Sequence, residues 1–222
     1  MIVLIGILTI IQYSLPAPIP PLEMKRRHIG QTSIGVAMAI NSFGLMLGSL
    51  LPTDWLYSRL GRRTTVQCGL TVLGVALFLY SVTYFIPDHY VDLFLATSIL
   101  TRSIEGVGTG IILSAILALL SLLYPHERGR AISARACGSN LGMSLGPLLG
   151  GSLFLVLGYF GVFFSFAILT LLTTFLLFIF KEARDSVRAS PSQLTAGQLL
   201  SVRRVLFNLG CNTICDLLLL VL

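Results

Sequence analysis

Charge is scarce in this chain. Only 11% of its 222 residues are Asp, Glu, Lys or Arg, against roughly 25% in an ordinary soluble domain. That shortfall excludes a water-soluble fold, because too few charged side chains exist to cover its surface. Histidine is thinner still. His28, His89 and His126 stand in separate loops and form no metal-ligand spacing. Cys68, Cys137, Cys211 and Cys215 all lie inside apolar runs, which leaves neither a disulfide framework nor a zinc pattern. No nucleophile–base pair and no phosphate-cradling loop is present, so neither an enzyme nor a cofactor is expected.

Apolar length is what the chain has in quantity. Hydrophobic residues make up 55% of it, and they fall into uncharged runs of about 20 residues or more, the length that crosses a bilayer. The expected fold class is an all-α membrane protein, integral and multi-pass, with the lipid bilayer as its first partner. Spanning helices are expected at Met1–Leu22, Gln31–Pro52, Thr64–Ile86, Val91–Leu123 and Ala131–Leu157, with a sixth ending near Phe180. Pro16, Pro18, Pro20 and Pro21 crowd the end of the first helix and predict a break there. The expected domains are a six-helix membrane domain over 1–181, a polar cytosolic linker over 182–204, and a seventh apolar segment over 205–222.

The formal charge of +6 does not indicate nucleic acid, because the basic residues fall in short gaps between apolar runs. Arg59, Arg62, Arg63, Arg128, Arg130, Arg135, Lys181, Arg184, Arg188, Arg203 and Arg204 follow the even-numbered helices; Lys25, Arg26 and Arg27 follow an odd one. The first set is expected to face the cytosol. The Lys25–Arg27 cluster runs against that rule.

Glycines at 138, 142, 146 and 150 recur every fourth residue, so they form one side-chain-free ridge that lets a neighbouring backbone come close. Pro147 removes a backbone donor and bends the helix at that point. Such a helix suits either a moving joint or a fixed, kinked packing surface. Arg102 lies about 15 Å into the fourth helix, where an arginine costs at least about 2.5 kcal/mol and must face a cavity or a partner. Glu105, three residues on, shares its face. The pair reads either as a structural ion pair or as a relay in a water-filled pathway. Gln12, Asn41 and Asn140 fall at similar depths on three other helices. They are expected either to line one central cavity or to make separate interhelical hydrogen bonds.

These motifs together resemble the N-terminal half of a major facilitator superfamily transporter. Asp54–Arg63 is similar to the family's loop between helices two and three: Arg59, Gly61, Arg62 and Arg63 match it, while Asp54 and Ser58 stand where the family has Gly and Asp. Arg102-Ser-Ile-Glu105-Gly106-Val-Gly108 resembles the helix-four motif. Gly142-x-x-x-Gly146-Pro147-x-x-Gly150-Gly151 resembles the helix-five motif of proton-linked antiporters. Within the superfamily the vesicular amine and polyamine branch is the nearest look.

The resemblance implies six helices of a twelve-helix fold plus the start of a seventh. It implies proton coupling by Arg102 and Glu105, and a substrate cavity at Gln12, Asn41 and Asn140. Conformational gating is implied for Asp54, Arg59, Gly61, Arg62, Arg63, Gly142, Gly146, Pro147, Gly150 and Gly151. The expected activity is proton-coupled antiport of a small organic cation such as an amine, polyamine or drug. The alternative is a truncated, non-transporting membrane protein with a structural or interaction role. In the family the helix-five glycines pack against the second half, so here the ridge is expected to face lipid or a second copy, which predicts self-association.

Overall fold

The computed structural model describes Ser14, residues 18–51, Tyr57 and residues 59–179. Gln12, Asp54, most of the first helix, the linker and the seventh segment lie outside the described residues. Within them the chain is helical and forms no strand: α1 (Ile19–Arg26), α2 (Gln31–Leu50), α3 (Arg62–Val82) extended by a 3-10 turn at Thr83–Phe85, α4 (Val91–Leu123) and α5 (Arg128–Ile179). Four described stretches are long and apolar enough to cross a membrane: Gln31–Leu50, Arg62–Phe85, Val91–Leu123 and Gly146–Phe175.

The prolines at the end of the first helix begin a helix instead of only breaking one. Pro20 and Pro21 sit in the first turn of α1, where a missing N–H would have had no intrahelical acceptor. The short helix stops at His28, whose φ of 58° is left-handed. There the His28 N–H reaches the Lys25 carbonyl and the Ile29 N–H reaches that of Met24, each at 3.1 Å, closing the exposed carbonyls of the last turn. Gly61 does the corresponding work before α3. Its φ of 78° is open to glycine at little cost, and it starts the helix there.

α4 is the centre of the bundle. On one face it runs parallel to α2, with Asn41 against Gly106, Leu45 against Gly110, and Gly48 against Val107. On another it runs antiparallel to α3, with Gly69 against Ile112 and Leu73 against Gly108. Lipid is as apolar as leucine, so helices in a bilayer gain little by hiding one from the other; close backbone approach supplies the attraction instead. The glycines of α2 and α4 provide that approach.

Residues 159–179 of α5 lie antiparallel to α3. Thr83 Oγ1 and Tyr159 Oη share a 3.0 Å hydrogen bond at one end, and Arg63 Nη2 donates to the Leu177 carbonyl at 2.9 Å at the other. Tyr80 packs on Phe163 between them, with ring centroids 4.6 Å apart. The only non-helical residue inside α5 is Gly158 (φ 65°, ψ −176°). Residue 128 starts beside the end of α4, and Tyr159 lies at the opposite end, so the chain reverses at Gly158. The two arms, 128–157 and 159–179, lie where the fifth and sixth helices were expected, and Gly158 joins them.

Two members of the basic cluster that broke the loop-charge pattern, Arg26 and Arg27, are tied up in ion pairs. Arg27 is buried: its Nε lies 3.2 Å from Glu23 Oε1, its Nη1 donates to the Ile86 carbonyl at 2.9 Å, its Nη2 lies 3.4 Å from Asp88 Oδ1, and its guanidinium sits 4.1 Å above the Phe94 ring. Arg26 pairs with the same Glu23 oxygen at 2.7 Å. Two arginines thus meet two carboxylates. The cluster fastens α1 to the corner between α3 and α4. Because Arg27 uses three nitrogens in three directions, Arg27→Lys should lower stability by about 2 kcal/mol, while Arg26→Lys, on a mostly exposed side chain, should cost well under 1 kcal/mol. Thermal unfolding in detergent checks the contrast; equal melting temperatures would sink it.

Candidate functional site

A polar stripe runs along the buried side of α4. Ser98, Arg102, Glu105 and Thr109 recur at i, i+4, i+7 and i+11, which places them on one helix face. Arg102 and Glu105 are each 1% exposed, and Ser98 and Thr109 are fully enclosed. Arg102 Nη1 lies 3.0 Å from Glu105 Oε2 and 3.2 Å from its Oε1. The guanidinium carbon stands 5.0 Å from the centroid of the Tyr80 ring on α3. A cation over a desolvated ring gains about 2 kcal/mol, and the carboxylate supplies the opposite charge that burial demands. Thr109 meets its own need locally, donating to the Glu105 carbonyl at 2.9 Å.

The level of this pair can be read from the helix beside it. With Leu73 opposite Gly108, the antiparallel register of α3 and α4 sets Arg102 level with the last full turn of α3, beside Tyr80. The aromatic end of the hairpin, Tyr84 and Phe85 against Phe160, lies only about 7 Å beyond Tyr80 at 1.5 Å per residue. α4 has 33 residues, about 50 Å of helix, longer than the ~30 Å hydrocarbon layer. Arg102 is the twelfth residue of α4, about 16 Å from its start, and level with Tyr80 on α3. Asn41 is buried in α2, and its side-chain oxygen would lie 2.9 Å from a Cβ at Gly106, one turn along α4 from Arg102. Asn140 is exposed on α5 and is not brought to this cluster.

The residues expected to gate movement divide in two. Arg59 is exposed. Gly61 starts α3, Arg62 lies 5.8 Å from the Tyr57 ring, and Arg63 caps the Leu177 carbonyl near the end of α5. A cation on the last carbonyls of a helix also meets the negative end of its dipole. This loop thereby ties the starting end of α3 to the finishing end of α5. In the glycine–proline stretch, Gly142, Gly146 and Gly150 are buried, Gly151 is half-buried and Pro147 is exposed. An added Cβ at Gly146 would run into the Ser14 hydroxyl. The ridge is thus occupied at Gly146 by Ser14 of the same chain, and the expectation that it faces lipid or a second copy is corrected at that position.

Tyr80, Ser14 and Tyr57 were not marked by sequence reasoning. The stripe Ser98–Arg102–Glu105–Thr109 had a legible signal in its helical spacing. The partners on α3 needed the register between helices, which no local pattern carries.

Comparison with known proteins agrees with this architecture. The family model described as Major Facilitator Superfamily matches residues 2–222. The MFS-type transporter SLC18B1 of Rattus norvegicus is 26% identical over 147 residues, covering 66% of this chain and 32% of that protein. Multidrug resistance protein 1 of Bacillus subtilis (strain 168) is 22% identical over 191 residues, covering 85% and 45%. Drug efflux pump JefA of Mycobacterium tuberculosis (strain ATCC 25618 / H37Rv) is 32% identical over 145 residues, covering 64% and 27%. The matched stretch spans less than half the length of each relative. With its helices, its loop of arginines and its buried α4 pair accounted for on one pattern, this multi-pass membrane chain belongs to the major facilitator superfamily.

Proposed function

We propose that the chain supplies the N-terminal half of a secondary active transporter that exchanges protons for a small organic cation by alternating access. The observation that carries this reading is the enclosed Arg102–Glu105 pair. Glu105 is a carboxylate whose counter-charge is internal, so binding a proton frees Arg102, and losing it draws Arg102 back. An organic ammonium that competes for the carboxylate would make the same exchange. Asn41, one turn further along, offers a polar contact to such a guest. The names of two relatives, a multidrug resistance protein and a drug efflux pump, support the substrate class.

The test is uptake of radiolabelled spermine, and of ethidium, into proteoliposomes under an imposed pH gradient. It is run on the 222-residue chain and on any longer in-frame product. Arg102→Ala should abolish gradient-driven uptake, by at least about 10²-fold if proton transfer is the step removed, while membrane insertion stays near normal. Unchanged uptake would remove Arg102 from coupling. Because the matches cover less than half of each relative, a non-transporting membrane role is the second reading. A chain that inserts normally yet takes up neither probe, alone or in a longer product, would favour it.

A further inference from the structure

In an α-helix the carbonyl of residue 143 takes its hydrogen bond from the N–H of residue 147. Residue 147 is proline and has none. In hydrocarbon a backbone acceptor stripped of its donor is costly, and neighbouring hydroxyls are the usual replacement. Ser14 Oγ donates to the Met143 carbonyl at 3.2 Å, across 129 residues of sequence. Three serines within α5 behave differently. Ser139 donates to Arg135, Ser144 to Asn140 and Ser152 to Leu149, all within their own helix and to carbonyls that keep a helical donor. Ser14 is 5% exposed, and it reaches Met143 because Gly146 leaves room for its Cβ and hydroxyl. The acceptor, the missing donor and the opening thus coincide within one turn.

We propose that Ser14 is the replacement donor for the carbonyl that Pro147 strands, and that this bond latches Ser14 to the α5 joint. Any rotation of that joint during transport must break or trade this bond. That consequence rests on the transporter reading; the latch itself does not. Ser14 is a positioning residue, acting through the Met143 carbonyl.

The experiment is a double-variant cycle on the full chain in detergent and in liposomes. Ser14→Ala should lower the melting temperature by about 2–4 °C, the size of one hydrogen bond in a protein of this length. Pro147→Ala restores the N–H of residue 147, so in that background Ser14→Ala should leave the melting temperature unchanged. An equal fall in both backgrounds, or none in either, would overturn the latch. Should Pro147→Ala fail to fold, infrared difference spectra of chain labelled with carbonyl-13C methionine decide it. Ser14→Ala should move one methionine carbonyl band to higher frequency, as expected for a lost hydrogen bond, and an unmoved spectrum would refute the assignment. These readouts need no substrate, so they stand or fall apart from the uptake assay.

Discussion

Glu105→Ala should unfold a large share of the protein, and Arg102→Ala should do so less. Removing the carboxylate leaves a guanidinium that is 1% exposed without the opposite charge 3.0 Å away, and breaking one side of a buried pair costs about 3–5 kcal/mol. Arginine cannot shed its proton to escape that cost. The reverse deletion is milder because a carboxylic acid stranded in an apolar site can take up a proton and become neutral. Tyr80 softens the first deletion by about 2 kcal/mol at most, through its ring face. The order of stability should therefore be wild type, Arg102→Ala, Glu105→Ala. Adding Arg102→Ala to Glu105→Ala should recover stability. Thermal unfolding and the yield of monodisperse protein measure this. A double variant no better than Glu105→Ala would show that the cost comes from lost packing and not from charge.

Gly110→Ala should separate α2 from α4, although it adds one methyl group. A Cβ there would meet the Leu45 carbonyl and lie 2.7 Å from the Ser49 nitrogen, both backbone atoms that cannot rotate away. Overpacking of this kind costs about 1–3 kcal/mol, and with main chain on the far side the upper figure is expected. Gly35→Ala is the internal control. It lies in the same α2 with nothing within 4 Å of its added Cβ, so it should raise stability by up to about 1 kcal/mol through helix propensity. Opposite shifts in melting temperature are thus expected from the same chemical change on neighbouring helices. If Gly110→Ala melts like the wild type, α2 and α4 are not in backbone contact.

Much of α4 was legible beforehand. Its bounds, Val91 and Leu123, are the same in sequence and structure, because short polar loops punctuate a long, mostly apolar run on both sides. The Arg102–Glu105 pair followed from i, i+3 spacing alone. The ridge Gly138–Gly150 was legible only as an opening, since a missing side chain tells how near a neighbour can come and not which neighbour comes. That choice fell to Ser14, more than a hundred residues away. Pro18, Pro20 and Pro21 announced an interruption, yet the same locked φ that stops one helix is suited to the first turn of the next.

The fastening around Arg27 bears on how the chain is built during synthesis. Arg27 reaches the carbonyl of Ile86, 59 positions later, and Asp88 just beyond it. At about 5–20 residues per second, translation takes roughly 3–12 s to deliver those partners. Throughout that interval Glu23 is the only one of the three polar partners already made. α1 and α2 are therefore made with a half-paired arginine between them, and their seating on the later helices stays adjustable. Arrival of the corner before α4 completes the coordination and sets them, so a ribosome stalled before residue 86 would expose an Arg27 still open to water and to chemical modification.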